Sequence, residues 1–229
     1  MPARALTLLS SMATRELLRE LAACHAQATG QPVEAQGAGG VDVAKRVRAG
    51  EAVDIVVLAS KVIDELIGEG VLAGPRVDLV RSGVGIAVRA GTPRVDVSSE
   101  AAVRDAVLAA RTLSYSTGPS GTWLQGLFER WGIAERIGER IVVPPPGVPV
   151  GSLVADGRAE LGFQQLSELI NLAGIQVLGP LPPEIQTLTV FSAAVSSASD
   201  SQDAARAFLR YMASPQTAEV KVHFGMEAA

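Results

Sequence analysis

Short apolar runs punctuated by Gly, Ser and Pro alternate with amphipathic stretches along the whole chain, and this alternation constrains the fold more than any other feature. Leu6 to Leu9, Val33 to Gln36 and Asp54 to Ala59 read as strands. Between them, Thr14 to Ala28 carries Leu17, Leu18 and Leu21 on one helical face. The helix after Gly37-Ala38-Gly39-Gly40 turns Val43 and Val47 to one side and stops at Gly50, where a C-terminal glycine is expected. Ser60 reads as the cap of a further helix with Val62, Ile63, Leu66 and Ile67 inward. Strand, helix and strand in succession predict an α/β protein with largely parallel sheets.

Two longer extended stretches, Val77 to Arg89 with Ser82-Gly83 inside it and Leu188 to Val195, bracket a self-contained α/β set. That set reads as helix 99–110, strand 111–116, helix 121–131, strand 141–143, helix 150–157, strand 161–163 and helix 166–172. The order is that of a chain that leaves one lobe, builds a second and returns. It predicts a first lobe over 1–81 and 189–229, a second over 85–186, and crossing segments near 82–84 and 187–188. Amphipathic helices over Asp203 to Met212 and Pro215 to Phe224 are expected to pack back on the first lobe.

With 229 residues, 48% of them hydrophobic, the chain is long enough to bury a core, and no Gly/Ser/Pro tract reads as a linker. A net charge of −4 spread without a basic stripe excludes a nucleic-acid partner. Cys24 is the only cysteine, which rules out an intrachain disulfide and a cysteine metal cage; it reads as a small buried hydrophobe. His25 and His223 lie too far apart in sequence to suggest a metal site. Gly118-Pro119-Ser120-Gly121 lacks the spacing of a nucleophile elbow, and no lysine follows as a phosphate loop requires, so neither metal nor cofactor is expected. No apolar stretch reaches the roughly 20 residues that cross a bilayer, and no signal peptide precedes Ala5. The location is then periplasmic if an export signal has been removed, and cytoplasmic otherwise.

Several expected strands end in small or hydroxyl residues just before a helix begins. Such junctions favour anions, because first-turn N–H groups lack intrahelical acceptors and the helix start is partially positive. The junctions are Ser10-Ser11-Met12, Gly37-Ala38-Gly39-Gly40, Ser116 through Ser120-Gly121-Thr122, and Gly147 through Val148-Pro149-Val150. In open α/β sheets ligands bind at the carboxyl ends of strands, where these junctions lie. Arg15, Lys45 and Arg81 are the cations able to approach a carboxylate, whereas His25, His223, Glu168 and Glu184 read as packed or solvated groups.

The order of these motifs resembles the molybdate-binding type of periplasmic solute-binding protein across nearly the whole chain. The resemblance rests on Ser10-Ser11-Met12, the turn at 37–40, the run Arg48 to Val57, Gly83 to Val88, Ala213 to Ala218 and Phe224-Gly225-Met226. It implies a two-lobed type II periplasmic-binding-protein-like fold with two crossing strands, holding an oxyanion through hydroxyls and backbone N–H groups. Carried onto this chain, the ligand-facing residues are Ser10, Ser11, Met12, Gly37 to Gly40, Ser116, Ser120 to Thr122, Val148 to Val150 and Gln164. The second turn has glycine and alanine where molybdate binders tend to have serine, and Gln164-Gln165 replaces a tyrosine. The run Leu161 to Leu169 with Leu178 to Glu184 is similar to the branch that includes aconitate isomerase, which shifts the expected ligand toward organic carboxylates. The resemblance therefore implies a monomeric binder that captures a small anion, oxyanion or carboxylate, for an ABC transporter permease. An isomerase acting on a tricarboxylate and a cytoplasmic ligand sensor are the alternatives.

Overall fold

The computed structural model describes residues 4–145 and 147–229, so the expected start of the first lobe at Met1 falls outside the described residues. The chain forms two compact units, one from the residues through Arg81 together with Val190–Ala229, the other from Ser82–Thr189. The first begins with β1 (Leu6–Ser11), a 3-10 turn (Met12–Thr14), α1 (Arg15–Thr29), β2 (Val33–Ala38), α2 (Gly40–Arg48), β3 (Ile55–Ala59) and α3 (Ser60–Gly68), and β4 (Leu72–Arg89) starts in it and continues as part of the second. The second holds α4 (Glu100–Ala109), β5 (Leu113–Tyr115), α5 (Pro119–Arg130), α6 (Ala134–Ile137), α7 (Val150–Ala155), β6 (Leu161–Gln165), α8 (Leu166–Leu169) and β7 (Ile175–Pro180). The chain returns through β8 (Leu188–Ser196) and ends in α9 (Gln202–Ala213), α10 (Ala218–His223) and β9 (Glu227–Ala228).

The strand order is β2-β1-β3-β8-β4-β6-β5, with β7 and β9 also paired to β4. The pairing is mixed rather than largely parallel. β1 runs parallel to β2 and β3, and β5 parallel to β6, but β3 pairs antiparallel with the returning β8. β4 likewise takes β6, β7 and β9 antiparallel. The physical reason is the return of the chain: β4 and β8 run against the strands they join, which tandem strand-helix-strand units alone would not produce.

Strand periodicity divides the first unit's core between two faces. Leu8, Ile55, Val57, Ala193 and Val195 join Leu17, Leu18 and Leu21 of α1 and Phe208 and Met212 of α9. The alternate residues Leu9, Val56, Leu58 and Ala194 face Val43 and Val47 of α2 and Ile63 and Leu66 of α3. Burial on both faces explains why these strands read as unbroken apolar runs. In the second unit Val84, Ile86 and Val88 of β4 pack with Val103 of α4 and Leu124, Leu127 and Phe128 of α5. Each such side chain contributes about 1.5–3 kcal/mol relative to exposure.

Several local expectations differ from the structure. Residues 141–143 form no strand; Ile141 makes a single bridge to Leu113, and Pro144 and Pro145 deny the segment the donors a ladder needs. β7 is an additional strand. Ser60 is the first residue of α3 and makes no side-chain cap, the capping position being Ala59. Val62 and Ile67 are only partly buried, and Cys24 is half-buried, its thiol 3.8 Å from the Glu20 carboxylate. Among the described residues no helix is long and apolar enough to cross a membrane.

Candidate functional site

In the first unit the parallel register sets Ser10 beside both Gly37 and Val57, and Ser11 beside Ala38. Parallel strands end at one edge, so the 3-10 turn at Met12 and the starts of α2 at Gly40 and α3 at Ser60 share that edge. A side chain on Gly40 would lie 3.9 Å from Ser11 Cβ and 3.7 Å from Leu58, so the first turn of α2 stands against β1 and β3. Neither α2 nor α3 has a side-chain cap, which leaves their first-turn amides to other acceptors.

Ser10 is fully buried, and its single hydroxyl proton is within reach of the carbonyls of Ser11 at 3.2 Å and Gln36 at 3.4 Å. Among the described residues Ser11 Oγ has only Thr14 Oγ1 at 3.4 Å, a long contact that leaves its hydrogen-bonding capacity largely unspent. Thr14 is a buried hydroxyl that the sequence reading passed over; its place just before α1, where threonine commonly caps, was the available signal.

The cations separate clearly. Arg15 lies at this edge, its stem against Gly37, with Nε donating to Glu16 at 2.7 Å and Nη1 at 3.8 Å from Met12 Sδ. Lys45 is exposed on α2, and Arg81 pairs with Glu227 of β9 at 2.9 Å. His25 is buried between Phe208 and Tyr211, its ring centroid 4.9 and 5.0 Å from theirs, and burial lowers its pKa. His223 ends α10, and Glu184 is exposed.

In the second unit Ser116 Oγ and Ser120 Oγ lie 2.9 Å apart, and the Gly118 N–H donates to Ser116 Oγ at 3.3 Å. α5 starts at Pro119, two residues earlier than the sequence reading, so Ser120, Gly121 and Thr122 occupy its first turn. Thr122 turns its hydroxyl back to the Gly118 carbonyl at 3.5 Å. At the other junction Pro149 precedes α7, Val150 is buried, and the Val148 N–H donates to the Pro145 carbonyl at 3.0 Å.

Gly162 lets α7 settle on β6: a side chain there would meet Val154 at 2.5 Å and Val150 at 3.1 Å. This close approach brings the first turn of α7 to Gln164, whose Oε1 accepts from the Gly151 N–H at 3.2 Å while Nε2 donates to Glu168 at 2.6 Å. The half-buried Glu168 thus holds a buried amide rather than standing as a solvated charge. Gln165, with Oε1 accepting from Thr189 Oγ1 at 2.9 Å, donates to the Ser82 carbonyl at 3.0 Å, tying together the residues where the chain passes between units.

Against known proteins, the pattern of the family described as bacterial extracellular solute-binding protein matches residues 6–227. Aconitate isomerase from a Pseudomonas species is 34% identical over 233 aligned positions, spanning 99% of this chain and 88% of that protein. Among solved structures, the periplasmic molybdate-binding protein of Azotobacter vinelandii superposes with a TM-score of 0.83 at 21% identity, covering 98% of this chain and 99% of the other. The sulfate-binding protein SubI of Mycobacterium tuberculosis gives 0.76 at 19% identity, covering 98% and 87%. These likenesses identify the fold as periplasmic-binding-protein-like.

Proposed function

Because the chain belongs to the bacterial extracellular solute-binding protein family, we propose that it captures a small anion through donors at its strand ends. The observation that carries this reading is the shared edge where Ser10 and Ser11 meet the uncapped starts of α2 and α3. Uncapped first-turn amides and a weakly engaged hydroxyl suit an oxyanion or carboxylate, because each is a donor already oriented before the ligand arrives. The ligand set is Ser10, Ser11, Met12, the turn 37–40, Ser116, Ser120 to Thr122, and Val148 to Val150, with Gln164 holding the α7 turn in place. In this reading the protein works as a monomer and passes its anion to an ABC transporter permease; the family's description as extracellular supports a place outside the cytoplasmic membrane.

A tricarboxylate isomerase is the second reading, favoured by the 34% identity to aconitate isomerase over 99% of this chain. It requires a group that removes a proton beside a carboxylate and donors for the resulting negative charge. The donors are those named above.

A thermal-shift screen with molybdate, tungstate, sulfate, citrate and the aconitate isomers tests the binding reading, since a ligand taken only by the native state raises its apparent stability. At a hundredfold excess over Kd the gain is about 2.7 kcal/mol. No shift with any of these anions contradicts anion capture. A change in ultraviolet absorbance on mixing with either aconitate isomer decides for the enzyme.

A further inference from the structure

We propose that Arg15 reads a carboxylate of the ligand through its guanidinium, making this strand edge selective for di- or tricarboxylates over tetrahedral oxyanions. This deepens the anion-capture reading and rests on it.

The first observation is how the arginine is held. A side chain at Gly37 would meet Arg15 Cγ at 2.7 Å and its Cβ and Cδ at 2.8 Å. Of these stem atoms Cβ is fixed by the α1 backbone, and Cγ and Cδ can yield only by a rotamer change that moves the whole stem. Gly37 is therefore the residue that allows the stem to lie across the end of β2, beside Ser10 in the strand register. The Arg15 side chain retains 34% exposure, against 56% for Arg19 further along the same helix. One arginine is packed at the strand edge and the other is solvated.

The second observation is what the guanidinium touches. Nε donates to Glu16 at 2.7 Å, and Nη1 faces the Met12 thioether at 3.8 Å, a weak acceptor. Among the described residues no oxygen engages Nη1 or Nη2. That pair of nitrogens grips a carboxylate with two parallel hydrogen bonds, a fit that is planar and directional.

The third is the charge around the turn. A side chain at Gly39 would lie 3.2 Å from Asp42 Oδ2, so a carboxylate already stands over the start of α2. An anion held there by amides and hydroxyls alone would face that charge without a nearby cation. Arg15 supplies the cation at the same edge, while Lys45 is exposed and makes no ion pair among the described residues. A ligand with two or more separated carboxylates can place one on Arg15 and another on the Ser11 and α2 donors. A compact tetrahedral ion cannot divide itself in this way.

The test is calorimetric titration of cis-aconitate and of molybdate into wild type, Arg15→Gln, Arg15→Lys and Gly37→Ala, each first checked for an intact melting transition. The expected result is tighter binding of cis-aconitate than of molybdate by wild type and at least a tenfold loss for cis-aconitate in Arg15→Gln. Arg15→Lys should recover less than half of that loss on a logarithmic scale, because an ammonium lacks the two-pronged geometry. Gly37→Ala should weaken cis-aconitate with the arginine still present, since the stem is displaced. If Arg15→Gln does not fold, Arg15→Lys decides alone, with at least a fivefold loss expected. Unchanged cis-aconitate affinity in the Arg15 variants overturns the role of Arg15 and leaves anion capture standing. Wild type that binds molybdate but not cis-aconitate overturns the carboxylate class. Wild type that binds neither anion, nor any in the wider screen, removes the parent reading and this one with it.

Discussion

Gln186 uses its side chain as a strand edge against Val84: its Oε1 accepts from the Val84 N–H at 2.8 Å, and its Nε2 donates to the Val84 carbonyl at 3.1 Å. The same amide donates to the Leu181 carbonyl at 3.3 Å, and Gly83 leaves room for it, since a side chain there would sit 3.0 Å from Gln186 Cδ. Gln186→Ala should destabilise the protein by about 1–3 kcal/mol, because the buried Val84 N–H loses its acceptor. Gln186→Glu, which sets a carboxylate oxygen against the Val84 and Leu181 carbonyls that Nε2 serves, should cost at least as much. Urea unfolding midpoints with an unchanged slope check both.

Gly121 fixes the geometry of the Ser116–Ser120 hydroxyl pair. A side chain at 121 would stand 1.6 Å from the Ser116 carbonyl oxygen, and that obstacle is backbone. Gly121→Ala should therefore cost about 3 kcal/mol or more and separate the two hydroxyls. The readouts are the melting temperature and the affinity for whichever anion the screen identifies.

Asp54 accepts from the Thr7 N–H at 2.9 Å, Thr7 Oγ1 at 3.1 Å and Ser199 Oγ at 2.5 Å, and lies 3.4 Å from Arg4. Burial alone would raise its pKa, but the Ser199 and Thr7 hydrogen bonds and the charge of Arg4 outweigh it and leave the carboxyl below its ordinary 3.8. A depressed carboxylate contributes stability that is complete above the unfolded value and is lost as pH falls through the folded one. Asp54→Asn should lower the melting temperature at pH 7 and flatten the acid limb below about pH 4.

His25 acts in a different window. Its buried Nδ1 has no hydrogen-bond partner among the described residues, and burial lowers its pKa from 6.5. The unfolded chain therefore binds the proton first, so stability falls as pH drops below 6.5 and levels off once the folded ring protonates. His25→Phe should remove that slope while leaving the Asp54 limb. Melting temperatures of wild type and variant between pH 4.5 and about 7.5 measure it.

The buried strands were legible in the sequence because Leu6 to Leu9 and Asp54 to Ala59 carry apolar residues on both faces, and the two crossing strands because their length exceeds that of an ordinary strand. Local rules failed where long-range packing decides. The strand expected at 141–143 has the composition for it, yet the prolines that follow confine it to one bridge at Ile141. The engagement of Gln164 with Gly151 and Glu168 depends on α7 settling over Gly162, which no local pattern announces. The Arg15–Gly37 packing joins the start of a helix to the end of the next strand, and the sequence shows only an arginine on a helix and a glycine in a turn.

The most direct test of the account is calorimetric titration of wild type, Ser10→Ala and Ser11→Ala with the anion that gives the largest thermal shift. Ser11, whose hydroxyl has only a long contact among the described residues, should lose about tenfold or more in affinity on replacement, the worth of a charge-assisted hydrogen bond of roughly 1.5–3 kcal/mol. Ser10, whose one hydroxyl proton already has carbonyl acceptors within the protein, should lose less. Unchanged affinity in Ser11→Ala, with the fold intact, would contradict the claim that this strand edge holds the ligand.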